Sequence, residues 1–90
     1  MAKFSLLEVS GEGCANCLTL MPVVSRLASQ RGIPVEHLEA DENSAARVQE
    51  LRIDRVPTLI VMKDGQEIAR CTGYQPEEIL ELWLDAKLGE

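Results

Sequence analysis

Cysteine is scarce in this chain and comes in an odd number, 3 among 90 residues. A disulfide-stapled secreted scaffold usually carries an even set, so that class is excluded. Positive charge is short as well: 9 Lys+Arg stand against 15 Asp+Glu, a net charge of −6. No Lys/Arg cluster supplies the phosphate contacts on which nucleic-acid affinity rests. The same deficit argues against docking on an anionic membrane. No apolar run approaches the roughly 20 residues that a membrane span requires. The opening Met-Ala-Lys-Phe-Ser-Leu-Leu-Glu lacks the long apolar core of a secretory signal and reaches an acid at Glu8. Internal repeats, low-complexity stretches and long linkers are missing too.

What is present is ordinary globular composition, 46% hydrophobic and 27% charged. The expectation is one soluble domain over residues 1–90, cytoplasmic, with neither nucleic acid nor membrane among its partners. A domain this short buries only about 60–65% of its unfolded surface, yet domains near this size fold unaided. The thiols Cys14, Cys17 and Cys71 are therefore not needed as staples, and their spacing becomes the question.

The chain alternates between two periods. Residues 4–9 (Phe-Ser-Leu-Leu-Glu-Val) form a nearly continuous apolar run of strand length, the pattern of a strand covered on both faces. Ser10-Gly11-Glu12-Gly13 breaks it. Over residues 14–31 the apolar positions Leu18, Met21, Val24, Leu27 and Ala28 recur at three and four, which predicts an amphipathic helix. Gly32 sits where a C-terminal cap belongs, and Pro22 inside the helix predicts a kink. Residues 33–40 read as a second strand. A helix over 44–52 follows, with Ala45, Val48 and Leu51 on its apolar face. Residues 56–62 form a third strand, Asp64-Gly65 a hairpin turn, and residues 67–72 the returning strand. Pro76, Glu77 and Glu78 open a last helix whose apolar face carries Ile79, Leu80, Trp83, Leu84 and Leu88. The order β-α-β-α-β-β-α predicts an α/β fold: a four-stranded mixed sheet with helices on both faces, its first half a right-handed βαβ unit.

Cys14-Ala15-Asn16-Cys17 lies at the seam between the first strand and the long helix. Two thiols one helical turn apart can close a disulfide with little rearrangement. The unpaired N–H groups of a helix start stabilise an anion there, which lowers a thiol pKa. The thiolate is the attacking species in disulfide exchange. Cys14, at the start, gains most; Cys17, a turn in, is expected to be buried and to resolve.

At these residues the chain resembles the thioredoxin superfamily, and the match runs over nearly its whole length. Cys17 and Pro22 have the spacing of the family's second cysteine and helix-kinking proline. Val56-Pro57-Thr58-Leu59-Ile60-Val61 looks like its X-Pro-Thr segment. Lys63-Asp64-Gly65 and Gly73 fall at its spacing from Pro57, and the ending around Trp83 looks like its terminal helix. The N-terminal β-α extension of full-length thioredoxins is unmatched, so the resemblance implies a compact, glutaredoxin-sized version. It further implies that Pro57 is cis and faces the dithiol, and that Val56, Pro57 and Gly73 line a groove for an extended substrate peptide. Glu8 occupies the position of the family's buried acid, a proton partner for Cys17; a strand-end glutamate reaching solvent or pairing with Lys63 is the plain alternative. His37 lies near the family's lysine that meets that acid, although an exposed strand histidine is the reading favoured for it.

Three departures bear on the chemistry. Gly13 stands in place of a tryptophan, leaving the dithiol loop less covered. Ala15-Asn16 replaces Gly-Pro between the cysteines, which bears on the redox potential. Cys71 is extra, and reads as a small buried hydrophobe, with Phe4, Tyr74 and Trp83 as packing residues. The leading function is a thiol–disulfide oxidoreductase without a cofactor. Its partners would be disulfide-containing proteins and a reductant, either a thioredoxin-reductase-type protein or a small thiol. The alternatives are a non-catalytic module using the proline groove, or a zinc or iron–sulfur protein built on Cys14, Cys17 and either Cys71 or His37.

Overall fold

The apolar run near the N-terminus becomes strand β1 (Phe4–Gly11), the inner strand from which the sheet is built. The computed structural model describes residues 2–89. Helix α1 (Ala15–Gln30), strand β2 (Val35–Ala40), a 3-10 turn (Glu42–Ser44) leading into helix α2 (Ala45–Glu50), strands β3 (Thr58–Lys63) and β4 (Gln66–Thr72), and helix α3 (Glu77–Leu88) follow. The sheet order is β2-β1-β3-β4, with β1 and β2 parallel and the other pairs antiparallel. This is the expected four-stranded mixed α/β sheet.

Alternation along β1 divides the core. Leu6, Leu59 and Val61 meet Leu20, Val24 and Leu27 of α1 and Leu80 and Leu84 of α3 on one face. Leu7, Val9 and Ile60 point the other way, against Leu38, Leu51, Ile53 and Val56. Proline sets two strand boundaries later than expected. Pro34 has no N–H for the ladder, although its carbonyl accepts from Leu6 N–H at 2.9 Å, and β2 starts at Val35. Pro57 likewise defers β3 to Thr58. The β3–β4 turn is the expected one: Asp64 and Gly65 both hold positive φ, 53° and 82°.

Two helix faces differ from the sequence reading. Leu18, expected in the α1 stripe, is 74% exposed, and Met21 is only half-buried. The buried set is Cys17, Leu20, Val24, Leu27 and Ala28, so Cys17 takes the first place in the stripe as a small apolar side chain. On α3, Leu80 and Leu84 are buried while Ile79 is 53% exposed, because the sheet accepts only the centre of that wide apolar face. Helix α2 buries none of its own residues and holds the second face through Leu51 at its C-terminal cap.

Outside the core, α1 and α3 are joined by charge. Arg31 donates to Asp85 at 2.6 and 2.9 Å and to Glu81 at 2.8 Å. Its hydrogen bonds hold the Asp85 carboxyl below the usual carboxylate range. Both links are solvent-accessible, so the apolar seam carries most of the α1–α3 attachment.

The corrected α3 face makes a direct test. Leu84→Ala is expected to lower stability by about 2–4 kcal/mol, the cost of an interior cavity, and Leu82→Ala by less than about 0.5 kcal/mol at its exposed site. Equal losses by thermal melting would refute this placement of the helix.

Candidate active site

Helix α1 begins where Cys14 ends the extended chain. Cys14 is its N-cap residue, with φ −97° and ψ 101°, and its Sγ accepts a hydrogen bond from the N–H of Cys17 at 3.1 Å. A sulfur thus takes the capping role usually filled by a Ser, Thr, Asp or Asn oxygen. Cys14 and Cys17 form a disulfide across a Cα–Cα distance of 5.2 Å. Cys14 is half-buried and Cys17 is 1% exposed, the asymmetry expected from their places on the turn. No acid lies in the first turn of α1 to oppose a thiolate after reduction.

Glu8 lies on the same face of β1 as Leu6, beneath α1, and is fully buried. Its two oxygens are both engaged: Ser10 Oγ donates to Oε2 at 2.6 Å, and His37 Nδ1 lies 3.1 Å from Oε1. His37 is exposed on β2, as read from the sequence, and it also meets the buried acid, since the parallel register sets it directly across from Glu8. Its other nitrogen, Nε2, lies 3.4 Å from Ser25 Oγ on α1. The alternative in which Glu8 reaches solvent or pairs with Lys63 is overturned. Lys63 sits at the other end of β1, opposite Phe4, with its ammonium 5.6 Å from the Phe4 ring centre. Sequence reasoning passed over Ser10 and Ser25. Strand alternation signals Ser10, two residues beyond Glu8 on the same face; nothing local signals Ser25.

The Val56–Pro57 peptide bond is cis. The loop around it is held by its own polar groups: Arg55 C=O accepts from Thr58 Oγ1 at 2.6 Å, and Gly73 N–H donates to Pro57 C=O at 2.7 Å. Val56, between them, makes no backbone hydrogen bond to any described residue. Gly11 brings the dithiol side of the sheet against this loop, because a β-carbon there would stand 3.0 Å from Val56 Cγ2. With any other residue at position 11, the Val56 side chain would have to give by a few tenths of an ångström. Cys71 stands apart on β4, opposite Leu59; burial raises its thiol pKa, which leaves it less thiolate at neutral pH. Among the described residues no group of three or more His, Cys, Asp and Glu is arranged to hold a metal ion, and no helix is long and apolar enough to cross a membrane.

A cysteine pair capping a helix, on a sheet of this topology, matches known proteins. The family model Thioredoxin matches residues 1–86. The thioredoxin of Staphylococcus aureus is 35% identical over 85 residues, covering 92% of this chain and 81% of its own. A solved mutant thioredoxin from Halobacterium salinarum NRC-1 is 30% identical with a TM-score of 0.83, covering 93% of this chain and 74% of its own. The thioredoxin f2 of a solved complex with ferredoxin:thioredoxin reductase is similar in fold alone, at 22% identity and a TM-score of 0.82, covering 94% of this chain and 78% of that one. The fold and the dithiol define a thiol–disulfide oxidoreductase. The chain belongs to the thioredoxin family.

The approach of Gly11 to Val56 gives a test of the site's assembly. Gly11→Val is expected to push the Val56–Pro57 loop away from the dithiol and to lower kcat/KM for disulfide reduction by about tenfold, as small displacements of a positioned group do, while cooperative unfolding persists. Full activity in the folded variant would show that the close approach is dispensable.

Proposed function

We propose that Cys14 is the attacking thiol and Cys17 the resolving thiol in reduction of protein disulfides. The observation that carries this reading is the Cys14 sulfur at the helix start, accepting the Cys17 N–H while Cys17 itself is buried. In the reduced protein that N–H is aimed at the sulfur that must bear negative charge. The Cys14 thiolate attacks one sulfur of the substrate disulfide; the S–S bond breaks, and the other substrate sulfur leaves as a thiolate and takes a proton. Cys17 then loses its proton and attacks Cys14 Sγ, releasing the second substrate thiolate and closing the Cys14–Cys17 disulfide. Two electrons pass from dithiol to substrate.

Glu8 is the proton partner in the second step. Its burial beneath α1, on the face that also buries Cys17, supports the role. His37, 37% exposed in its side chain, links that carboxyl to the surface. Val56, Pro57 and Gly73 hold the substrate segment: the unpartnered N–H and C=O of Val56 are suited to an extended chain added by strand pairing. A reductant must return the dithiol. A reductase protein or a small thiol both meet that need, and the thioredoxin f2 complex provides an analogy for the first. A reducing, cytoplasmic setting suits this direction of transfer.

Cys17→Ser is expected to accumulate mixed disulfides on Cys14 that dithiothreitol releases, whereas Cys14→Ser traps nothing and loses insulin reduction. Absence of any trapped species, together with a wild type unable to reduce insulin, would end this reading.

Glu8→Gln preserves shape and most hydrogen bonding but cannot ionise. It is expected to slow release of the mixed disulfide at least tenfold, toward the lower range for proton-transfer catalysis, and to flatten its dependence on pH in rapid-quench experiments. An unchanged rate and pH profile would make Glu8 purely structural.

A further inference from the structure

Arg55 is exposed, and its guanidinium lies flat over Gly73. A β-carbon at Gly73 would stand 3.4 Å from Cζ, 3.5 Å from Nη2 and 3.7 Å from Nε. Such similar distances put Gly73 beneath the planar face of the group, so its N–H donors, which lie in that plane, are directed sideways. Gly73 is buried although it belongs to a loop. Its φ of 83° together with the stacked guanidinium makes glycine the suitable residue here.

Four of the other five arginines are committed to carboxylates, Arg52 being the exception. Arg26 pairs with Glu77, Arg31 with Glu81 and Asp85, Arg47 with Glu36, and Arg70 with Glu67. The Arg55 side chain has no hydrogen bond or ion pair among the described residues. Yet its base is fixed, because the hydrogen bonds at Arg55 C=O and Gly73 N–H hold the backbone on both sides of it. A cation in an acidic chain is thus stacked in a defined place, unpaired, and adjacent to the two unpartnered backbone groups of Val56.

We propose that Arg55 is a specificity-determining residue, receiving a carboxylate from an extended peptide that carries the substrate disulfide. The proposal rests on the disulfide-reduction reading above. A strand paired with Val56 places a neighbouring residue opposite Arg55. An Asp or Glu there meets the planar fork that binds carboxylates in bidentate fashion. The preferred substrates are then protein disulfides flanked by acidic residues, in spite of the enzyme's own negative charge.

The test compares two synthetic peptide disulfides that differ only in Asp or Asn beside the reactive cysteine. Wild type is expected to favour the Asp peptide about fivefold in kcat/KM at low salt, the scale of one exposed ion pair, chiefly through KM, with the preference shrinking in about 0.5 M salt. Arg55→Ala brings the ratio near one, Arg55→Lys keeps part of it, and Arg55→Glu inverts it. Reading each variant as a ratio of its two peptides cancels any general loss of activity. A wild-type ratio near one, or an unaltered ratio in Arg55→Ala, overturns the proposal. So does an Arg55 dependence confined to oxidised glutathione, which carries carboxylates on a small disulfide. Reduction of the neutral bis(2-hydroxyethyl) disulfide by wild type separates the two levels: its failure would overturn the oxidoreductase reading itself.

Discussion

The chemistry of this protein depends on where α1 begins. Because Cys14 Sγ caps the helix, the first turn is closed by one of the two sulfurs of the disulfide. Cys17 then falls, one turn on, at the head of the buried stripe formed with Leu20, Val24 and Leu27. One sulfur is kept near solvent and the other beneath the helix by nothing more than helical period and apolar packing. Thr or Asp would cap that helix equally well, so stability alone does not account for a cysteine at the N-cap.

Beneath the helix the constraint is one of polarity. A fully buried Glu8 is tolerable only if each oxygen has a partner, and Ser10 and His37 supply them from the same sheet. Those partners also limit how Glu8 can move. The imidazole touches Ser25 on α1 as well, so the acid, the β1–β2 pair and the middle of the helix that carries Cys17 form one connected polar unit within an otherwise apolar face.

Much of this was legible because it is local. The period of two in the strands, the period of three and four in the helices, and the Asp64-Gly65 turn each declare themselves within a few residues, and the element order survives intact. The dithiol was legible for the same reason. What failed was anything set across the sheet. Leu18 reads as stripe and proves exposed, whereas the burial expected of Cys17 holds and gives it the place at the head of that stripe. The exposure of His37 was legible, but its contact with Glu8 is fixed by the β1–β2 register, which depends on the length and packing of the whole intervening helix. Gly11 and Arg55 mean little as letters; they matter through Val56 and Gly73, which lie far along the chain.

Net charge was the least informative feature of the sequence, and the structure explains why. Four arginines are tied to carboxylates that join α1 and its C-terminal cap to α3, β2 to α2, and two positions within β4. Their charge serves the scaffold and is nearly cancelled within a few ångströms. At physiological salt a field is screened over about 8 Å, so an incoming peptide responds to the charges lining the Val56–Pro57 loop far more than to the −6 of the whole. The global charge slows the approach of an acidic partner, while the local cation governs how long it stays. Selectivity for a disulfide thus resides in the few residues flanking the loop.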